Sequence, residues 1–327
     1  MSSENMLTVS PVAASIYGFT ACDRSGIENY AKALLTIAGA DGTIAEEERA
    51  WFEANFVELL QLPAEVTDTF KGFDHRRADP AKLLSDLKLG GEGDARRMFL
   101  FDAIRMSKAD GDYAHSEQSM VRQTARAMGV SPGTLGDIEG VVAMEEGVHA
   151  MRRALFRMIE DDEEESPAVP TGDDVIKHNA WITYHFGHSH TAREPLQAYC
   201  QLLLAVAGSD GEISSEERAW FDTMITAAGV PEDLRGELDA FDFNSADVKE
   251  LASKSTLEIP MNMDHVTIYL AIQMASADGD YAPKEREAVR SAAKGLEVED
   301  EVVDHLENLV LLEGQLQNMR KGLFLIK

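Results

Sequence analysis

The stretch SADGDYAPKERE, residues 276–287, has the second half of an EF-hand calcium loop without its first half. Asp278, Gly279, Tyr281 and Glu285 have the spacing of loop positions 5, 6, 8 and 12. Positions 1 and 3 of such a loop carry no carboxylate in this chain. The stretch is therefore either a cation site or a tight turn between two helices.

The pattern Asp-Gly-x-[Ile/Tyr]-x-x-x-Glu occurs four times, beginning at Asp41, Asp110, Asp210 and Asp278. The first and third copies carry Ile and run into the string ERAWF, whereas the second and fourth carry Tyr within ADGDYA. The second and fourth copies lie 168 positions apart (278 − 110 = 168). This alternation indicates that a unit containing two such loops was duplicated.

The duplication predicts two homologous domains of ordinary size, residues 12–157 and 181–327. An acidic linker, residues 158–180, joins them and contains six consecutive acidic residues at 160–165. Such a run cannot bury apolar surface, so the linker is expected to be solvated. Cutting it is expected to release two folded halves.

The charge of the chain limits its partners. There are 58 acidic and 30 basic side chains, a formal net charge of −28. Phosphate backbones are bound through Lys and Arg, so direct nucleic-acid binding is disfavoured. The acidity also suits a saline habitat. No apolar run reaches the length of a membrane span, and the N-terminus does not resemble a signal peptide, so we expect a cytoplasmic protein without a membrane span.

Helical periodicity dominates the rest of the sequence. Apolar residues recur at three- and four-residue spacing in IENYAKALLTIAGA, from residue 27, and in LQAYCQLLLAVAGS, from residue 196. Strand-like alternation is confined to residues 180–186. The prediction is an all-α protein of two homologous helical bundles. Further helices are predicted at 46–60, 64–72, 80–88, 95–108, 115–128 and 145–157, with the second domain following the same plan.

Capping alone accounts for each Asp-Gly loop. Glycine can end one helix in the left-handed conformation, and the residue four positions after the aspartate can be the N-cap of the next. Ser214 and Glu217 then form a capping box, and Pro283 falls at the first helical position. In this interpretation the four glutamates are capping acids.

The same carboxylates could instead hold a hard cation. One loop offers too few oxygen ligands, so a site requires the two loops of one domain to converge. The candidate ligands are Asp41, Glu48, Asp110, Asp112 and Glu117 in the first domain, and Asp210, Glu217, Asp278, Asp280 and Glu285 in the second. Weak binding of calcium or magnesium is the cofactor prediction, and no other cofactor is indicated.

With two such loops in each of two helical domains, the chain resembles the TerB-like domain of tellurite-resistance proteins, which is also similar to the N-terminal domain of some membrane-associated J-domain co-chaperones. The resemblance covers both halves outside the linker. It implies a helical bundle with an internal pseudo-two-fold arrangement of its helix–loop–helix units and an acidic cluster proposed to bind metal. It also implies a non-enzymatic binding or scaffold role, with protein partners in a membrane-associated stress-response complex.

A histidine-rich stretch, HNAWITYHFGHSH at residues 178–190, lies at the start of the second domain. It contains His178, and the closely spaced His185, His188 and His190 could share one transition metal. The alternative function is therefore a metal-dependent hydrolase that uses the His178–His190 cluster and the loop carboxylates. No His-Glu-x-x-His, phosphate-loop or nucleophile-elbow motif accompanies it, so no catalytic residue is assigned.

Overall fold

The computed structural model describes residues 5–87, 89–90, 92–156, 175–178, 190–255 and 261–325. These residues are predominantly helical, which confirms the predicted all-α class with two helical bundles. The chain forms two compact units, which we call unit 1 (Met1–Gly147 with Gln315–Lys327) and unit 2 (Val148–Gly314).

The helices up to residue 156 correspond in part to the predicted ones. They are α1 (Pro11–Tyr17), α2 (Arg24–Ala38), α3 (Glu46–Phe52), α4 (Ala64–Thr67), α5 (Pro80–Leu83), α6 (Ala95–Ser107), α7 (His115–Ala127) and α8 (Pro132–Phe156). A π-helical turn, Glu53–Glu58, extends α3. The helices predicted at 64–72 and 80–88 are single turns, and the helix predicted from residue 145 already begins at Pro132.

The helices from residue 193 onwards repeat this plan. They are α9 (Arg193–Ala207), α10 (Ser215–Ala227), α11 (Glu232–Asp239), α12 (Val248–Lys254), α13 (Met263–Ala275), α14 (Pro283–Gly295) and α15 (Asp300–Leu325). Among the described residues, no helix is both long enough and apolar enough to cross a bilayer.

Two short antiparallel strand pairs accompany the helices. Strand β1 (Met6–Thr8) pairs with β2 (Ala21–Asp23), and β3 (Val175–Lys177) pairs with β4 (His190–Ala192). The stretch 180–186, where alternation indicated a strand, lies outside the described residues.

Helix packing places the acidic loops. In unit 1, α2 packs against α6, and each of these helices runs directly into one Asp-Gly loop. In unit 2, α9 and α13 have the same relationship. Tyr30, Leu34 and Ile37 of α2 are almost fully buried, as are Leu203 and Val206 of α9. Because neighbouring helices end side by side, the two loops of each unit come together.

The two long helices cross the unit boundaries. Helix α8 runs past Gly147, so that its last turns, residues 148–156, belong to unit 2. Helix α15 runs past Gly314, so that residues 315–325 belong to unit 1. Each unit is thus completed by a helix end from the other half of the sequence.

Candidate functional site

All four Asp-Gly loops have the same turn geometry. The turn glycines are left-handed, with φ values of 111° at Gly42, 87° at Gly111, 120° at Gly211 and 90° at Gly279. This backbone region is readily accessible only to glycine, which explains the Asp-Gly pair. In every loop the aspartate Oδ1 accepts the N–H of the residue two positions later, at distances of 2.8, 2.9, 3.1 and 2.8 Å in chain order.

The glutamate of each loop caps the next helix. One carboxylate oxygen, Oε2, accepts the N-cap amide N–H at 2.7 Å for Glu48, 2.8 Å for Glu117, 2.7 Å for Glu217 and 2.7 Å for Glu285. At the third loop the Glu217 N–H also donates to Ser214 Oγ at 3.2 Å, which completes a capping box. The capping interpretation is confirmed at all four loops.

The capping glutamates also meet in pairs. Glu48 and Glu117 are 3% and 4% exposed in unit 1, and their carboxyl groups interact directly. Glu217 and Glu285, each 3% exposed, form the corresponding pair in unit 2. Two adjacent buried carboxylates cannot both ionise without a large electrostatic cost. A bound proton or cation would reduce this electrostatic cost in each pair.

Burial is the largest cause of the perturbed acidity. It raises the pKa of Glu117 to about 8, and the neighbouring Glu48 carboxyl contributes in the same direction. In unit 2, burial raises the pKa of Glu285 to about 8, with Glu217 and then Asp210 adding to the shift. The pKa of Glu48 is also raised by burial. Each pair therefore retains a proton near neutral pH.

One oxygen in each pair has no donor. Glu48 Oε1 and Glu217 Oε1 are buried and have no hydrogen-bond partner among the described residues. Each of these two carboxylates uses its other oxygen for the cap. The facing carboxyl can supply a hydrogen only when it is protonated, so a cation and a proton would compete for this position.

The aspartates lie around the pairs without joining them as a preformed metal cluster. Asp41 and Asp110 act electrostatically on Glu48, and Asp210 acts on Glu285. All the predicted aspartate ligands are exposed: Asp41, Asp110, Asp112, Asp210, Asp278 and Asp280. Within the described ranges, no group of three or more His, Cys, Asp or Glu side chains is arranged to hold a metal ion.

A basic side chain lies beside one loop of each unit. Arg76 Nη2 donates to the Gly42 carbonyl oxygen at 3.1 Å, and Lys284 Nζ donates to the Asp210 carbonyl oxygen at 3.4 Å. These cations occupy backbone oxygens that a metal could otherwise use. Any bound metal would depend mainly on the carboxylates.

Of the histidines in the alternative metal site, His185 and His188 lie outside the described residues. His190 is in β4. His178 is 6% exposed, and its Nδ1 and Nε2 lie 2.7 Å from the Ala228 carbonyl oxygen and 2.8 Å from Thr191 Oγ1. Burial lowers its pKa. Both ring nitrogens of His178 are therefore engaged in the packing of unit 2.

A buried acid that the sequence analysis did not identify lies in unit 1. Asp102 is 1% exposed, and its Oδ2 accepts hydrogen bonds from Tyr17 at 2.8 Å and Tyr30 at 2.7 Å. Burial raises the pKa of Asp102 to about 6, although Arg105 opposes that shift. The matched position in the second repeat is Leu270, so Asp102 is not part of the repeated pattern. That difference distinguishes the position in the sequence, but the contacts with Tyr17 and Tyr30 are needed to show what the acid does.

The family model for tellurite resistance protein TerB matches residues 28–139 and 196–308, which include all four acidic loops. This chain belongs to the TerB family. Its two matched regions confirm tandem TerB domains, and the family is not a known class of enzyme. A solved tellurite resistance protein from Nostoc punctiforme is 27% identical, with 43% of this chain and 88% of that chain covered and a TM-score of 0.37. No curated protein matches the chain.

Proposed function

We propose that this TerB protein is a non-enzymatic binding protein of a tellurite-resistance type of stress response, and that each of its glutamate pairs binds one divalent cation weakly. The observation that carries the proposal is the buried, unpartnered carboxylate oxygen in each pair, Glu48 Oε1 and Glu217 Oε1. A calcium or magnesium ion would satisfy this oxygen and neutralise the facing carboxylates.

The donors favour a hard cation of low affinity. Each pair supplies two carboxylates, and the exposed turn aspartates next to it can contribute through water or by turning inward. This ligand set falls short of the six to eight oxygens that calcium prefers, so we expect a dissociation constant of roughly 10⁻⁴–10⁻³ M. Because the proton shared by the pair must leave first, affinity should increase with pH.

The partner in this proposal is a protein. A net charge of −28 favours basic protein surfaces and disfavours nucleic acid and anionic lipid. We further propose that the protein acts in the cytoplasm, beside a membrane-associated complex. Divalent cations at the glutamate pairs would then reduce the negative charge that a partner meets.

Isothermal titration with calcium and with magnesium tests the cation sites. Glu48→Gln removes one ionisable carboxyl of the unit 1 pair, whereas Glu47→Gln makes the same charge change at an exposed position of the same helix. We expect Glu48→Gln to lose one of two sites, Glu47→Gln to keep both, and the combination of Glu48→Gln with Glu217→Gln to lose both. Equal binding by the first two variants, or no response to millimolar cation, would contradict the proposal.

Metal analysis of the purified protein tests the non-enzymatic part. A weak hard-cation site is expected to be lost on dialysis. Stoichiometric zinc that survives dialysis would instead favour the metal-dependent hydrolase.

A further inference from the structure

The last turns of α8 and α15 carry almost the same sequence. Residues 151–156 read MRRALF, and residues 319–324 read MRKGLF. Phe156 and Phe324 are separated by the offset of the second and fourth loops (324 − 156 = 168). We call residues 148–156 and 315–325 the exchanged ends, because each belongs to the unit built mainly by the other half of the sequence.

In unit 1, the exchanged end docks on the N-terminus of α6. The Asp94 N–H donates to the Phe324 carbonyl oxygen at 2.8 Å, and Arg97 Nη1 donates to the Leu323 carbonyl oxygen at 3.0 Å. The Phe324 ring lies edge to face on Phe101, with centroids 5.5 Å apart. Phe324 is 2% exposed, so it is an anchor in the core of unit 1.

Unit 2 makes the same contacts at the N-terminus of α13. The Asn262 N–H donates to the Phe156 carbonyl oxygen at 2.8 Å, and His265 Nδ1 donates to the Leu155 carbonyl oxygen at 2.5 Å. Phe156 lies edge to face on Tyr269, with centroids 5.1 Å apart. Every residue in this set is 168 positions from its counterpart in unit 1. Both docking sites therefore bind the end of a helix with the sequence Arg-x-x-Leu-Phe.

The two sites hold their arginines differently. In unit 2, Arg152 Nη2 and Nε both contact Glu313 Oε1, at 2.5 and 3.1 Å. In unit 1, Arg320 Nη1 is 3.6 Å from Glu145 Oε1, and the buried Arg320 Nε has no hydrogen-bond partner among the described residues. A buried guanidinium with an unmet donor is held less favourably. Residues 315–325 are thus the more weakly held of the two exchanged ends.

A glycine precedes each exchanged end. Gly147 and Gly314 are the last residues before the two unit boundaries, and both lie within continuous helices. A Cβ added at either glycine would meet nothing within 4 Å, so packing does not require glycine there. Glycine is a poorer helix former than alanine, so each helix is weakened where its exchanged end begins.

We propose that residues 315–325 are an exchangeable ligand, and that unit 1 also binds this end from a second copy of the chain. Each docking site binds an exchanged end that lies more than one hundred residues away in the sequence. Binding therefore does not require that the exchanged end follow its docking site directly in the chain. A second copy carries both the same end and the same site. Two copies that exchange residues 315–325 would form a domain-swapped dimer, in which the contacts of these residues with unit 1 are made between copies instead of within one chain.

A peptide titration on the full-length chain tests the ligand role. The probe is a dye-labelled peptide of residues 307–325, and the receptor is the Phe324→Ala chain, whose own exchanged end lacks its anchor. We expect one peptide to bind per chain, and the same peptide with Phe324→Ala to bind at least about tenfold more weakly, because the aromatic anchor is lost. A peptide of residues 140–156 should compete for the site.

Circular dichroism checks that the Phe324→Ala chain is folded. Failure of the wild-type peptide to bind the folded variant would overturn the proposal. If Phe324→Ala does not fold, Phe324→Leu replaces it as the receptor. That variant keeps an apolar side chain in the core but loses the edge-to-face contact with Phe101, so its own end is held more weakly. Failure of the wild-type peptide to bind it has the same meaning.

Light scattering on the wild-type chain tests the second copy as the occupant. The chain is partly unfolded, refolded at roughly 1 μM and roughly 100 μM, and separated by size, because dimerisation follows mass action. We expect a dimer that forms at the higher concentration and is depleted in Phe324→Ala. Peptide binding without a dimer at any concentration would overturn the assignment of a second copy, and a dimer of unchanged abundance in Phe324→Ala would overturn the exchange of residues 315–325.

Discussion

Phe324 lies edge to face on Phe101 in unit 1, and the two rings come from different halves of the sequence. The same arrangement joins Phe156 to Tyr269 in unit 2. Each unit therefore buries an anchor that the other half of the sequence supplies. Cleavage of the chain between the two halves is therefore not expected to separate them.

Proteolysis within residues 158–180 should leave the two fragments associated. The N-terminal fragment carries Phe156, which is fully buried in unit 2, and the C-terminal fragment carries Phe324, which is buried in unit 1. Native mass spectrometry of the nicked protein should show both fragments in one complex. A nicked chain that also carries Phe156→Ala and Phe324→Ala is the control and should separate more readily. Two freely separating, folded fragments from the wild-type chain would contradict this expectation.

Removing the Phe156 ring from the core of unit 2 should lower the free energy of unfolding. Phe156→Ala deletes a fully buried aromatic ring, and such changes cost about 3–5 kcal/mol in the free energy of unfolding. Met151→Ala, at an exposed position of the same helix, should change the free energy by less than about 1 kcal/mol. Urea denaturation followed by circular dichroism measures both. Equal effects of the two substitutions would show that residues 148–156 do not contribute the predicted core contact.

The local structure of the loops was predictable because it depends on neighbours in sequence. The turn glycine, the N-cap and the capping glutamate lie within eight residues of one another, and their roles follow from helix termination alone. The pairing of Glu48 with Glu117 was expected only as a condition for metal binding. It depends on α2 packing against α6, which hydrophobic periodicity does not specify.

The exchanged ends could not be predicted in the same way. The string MR-x-x-LF is visible twice, but both copies fit an ordinary amphipathic helix end. Which unit buries Phe324 depends on tertiary contacts with Asp94 and Phe101, more than two hundred residues away in sequence. Asp102 was missed for a related reason, since a single acid in an apolar helix is recognised only once Tyr17 and Tyr30 are seen to surround it.

The glutamate pairs should make the metal-free protein less stable as pH rises. Folding raises the pKa of Glu117 and of Glu285 to about 8 from the ordinary value of 4.5. Their contribution to the free energy of unfolding is therefore fully present below about pH 4.5 and is lost as pH rises towards about 8. Glu285→Gln cannot ionise but can still accept the Ala282 N–H, so it should reduce this loss. The exposed Glu287→Gln is the control, and denaturation in a chelating buffer is the measurement. Identical pH profiles for the two variants would contradict a raised pKa at Glu285.

Saturating calcium should offset this loss of stability at high pH. In the proposed function a cation takes the place of the proton shared by Glu48 and Glu117, so the gain in melting temperature should be larger near pH 8 than near pH 6. Differential scanning calorimetry with and without calcium measures the gain. Glu117→Gln should reduce it, whereas Glu47→Gln should not. A gain that is larger at the lower pH would show that calcium acts elsewhere on the chain.

Asp102 should add a separate pH dependence in unit 1. Burial raises its pKa to about 6 from the ordinary value of 3.8, so its contribution to stability is present below about pH 4 and is lost as pH rises through about 6. Asp102→Asn resembles the protonated acid in shape and cannot ionise. The free energy of unfolding of the wild type minus that of Asp102→Asn should therefore decrease between about pH 4 and about pH 7. Asp137→Asn, at an exposed position of α8, should show no such trend. Urea denaturation of the three proteins across this range measures the difference, and a difference that stays constant or increases with pH would show that Asp102 is stabilised in its ionised form by Arg105, Tyr17 and Tyr30.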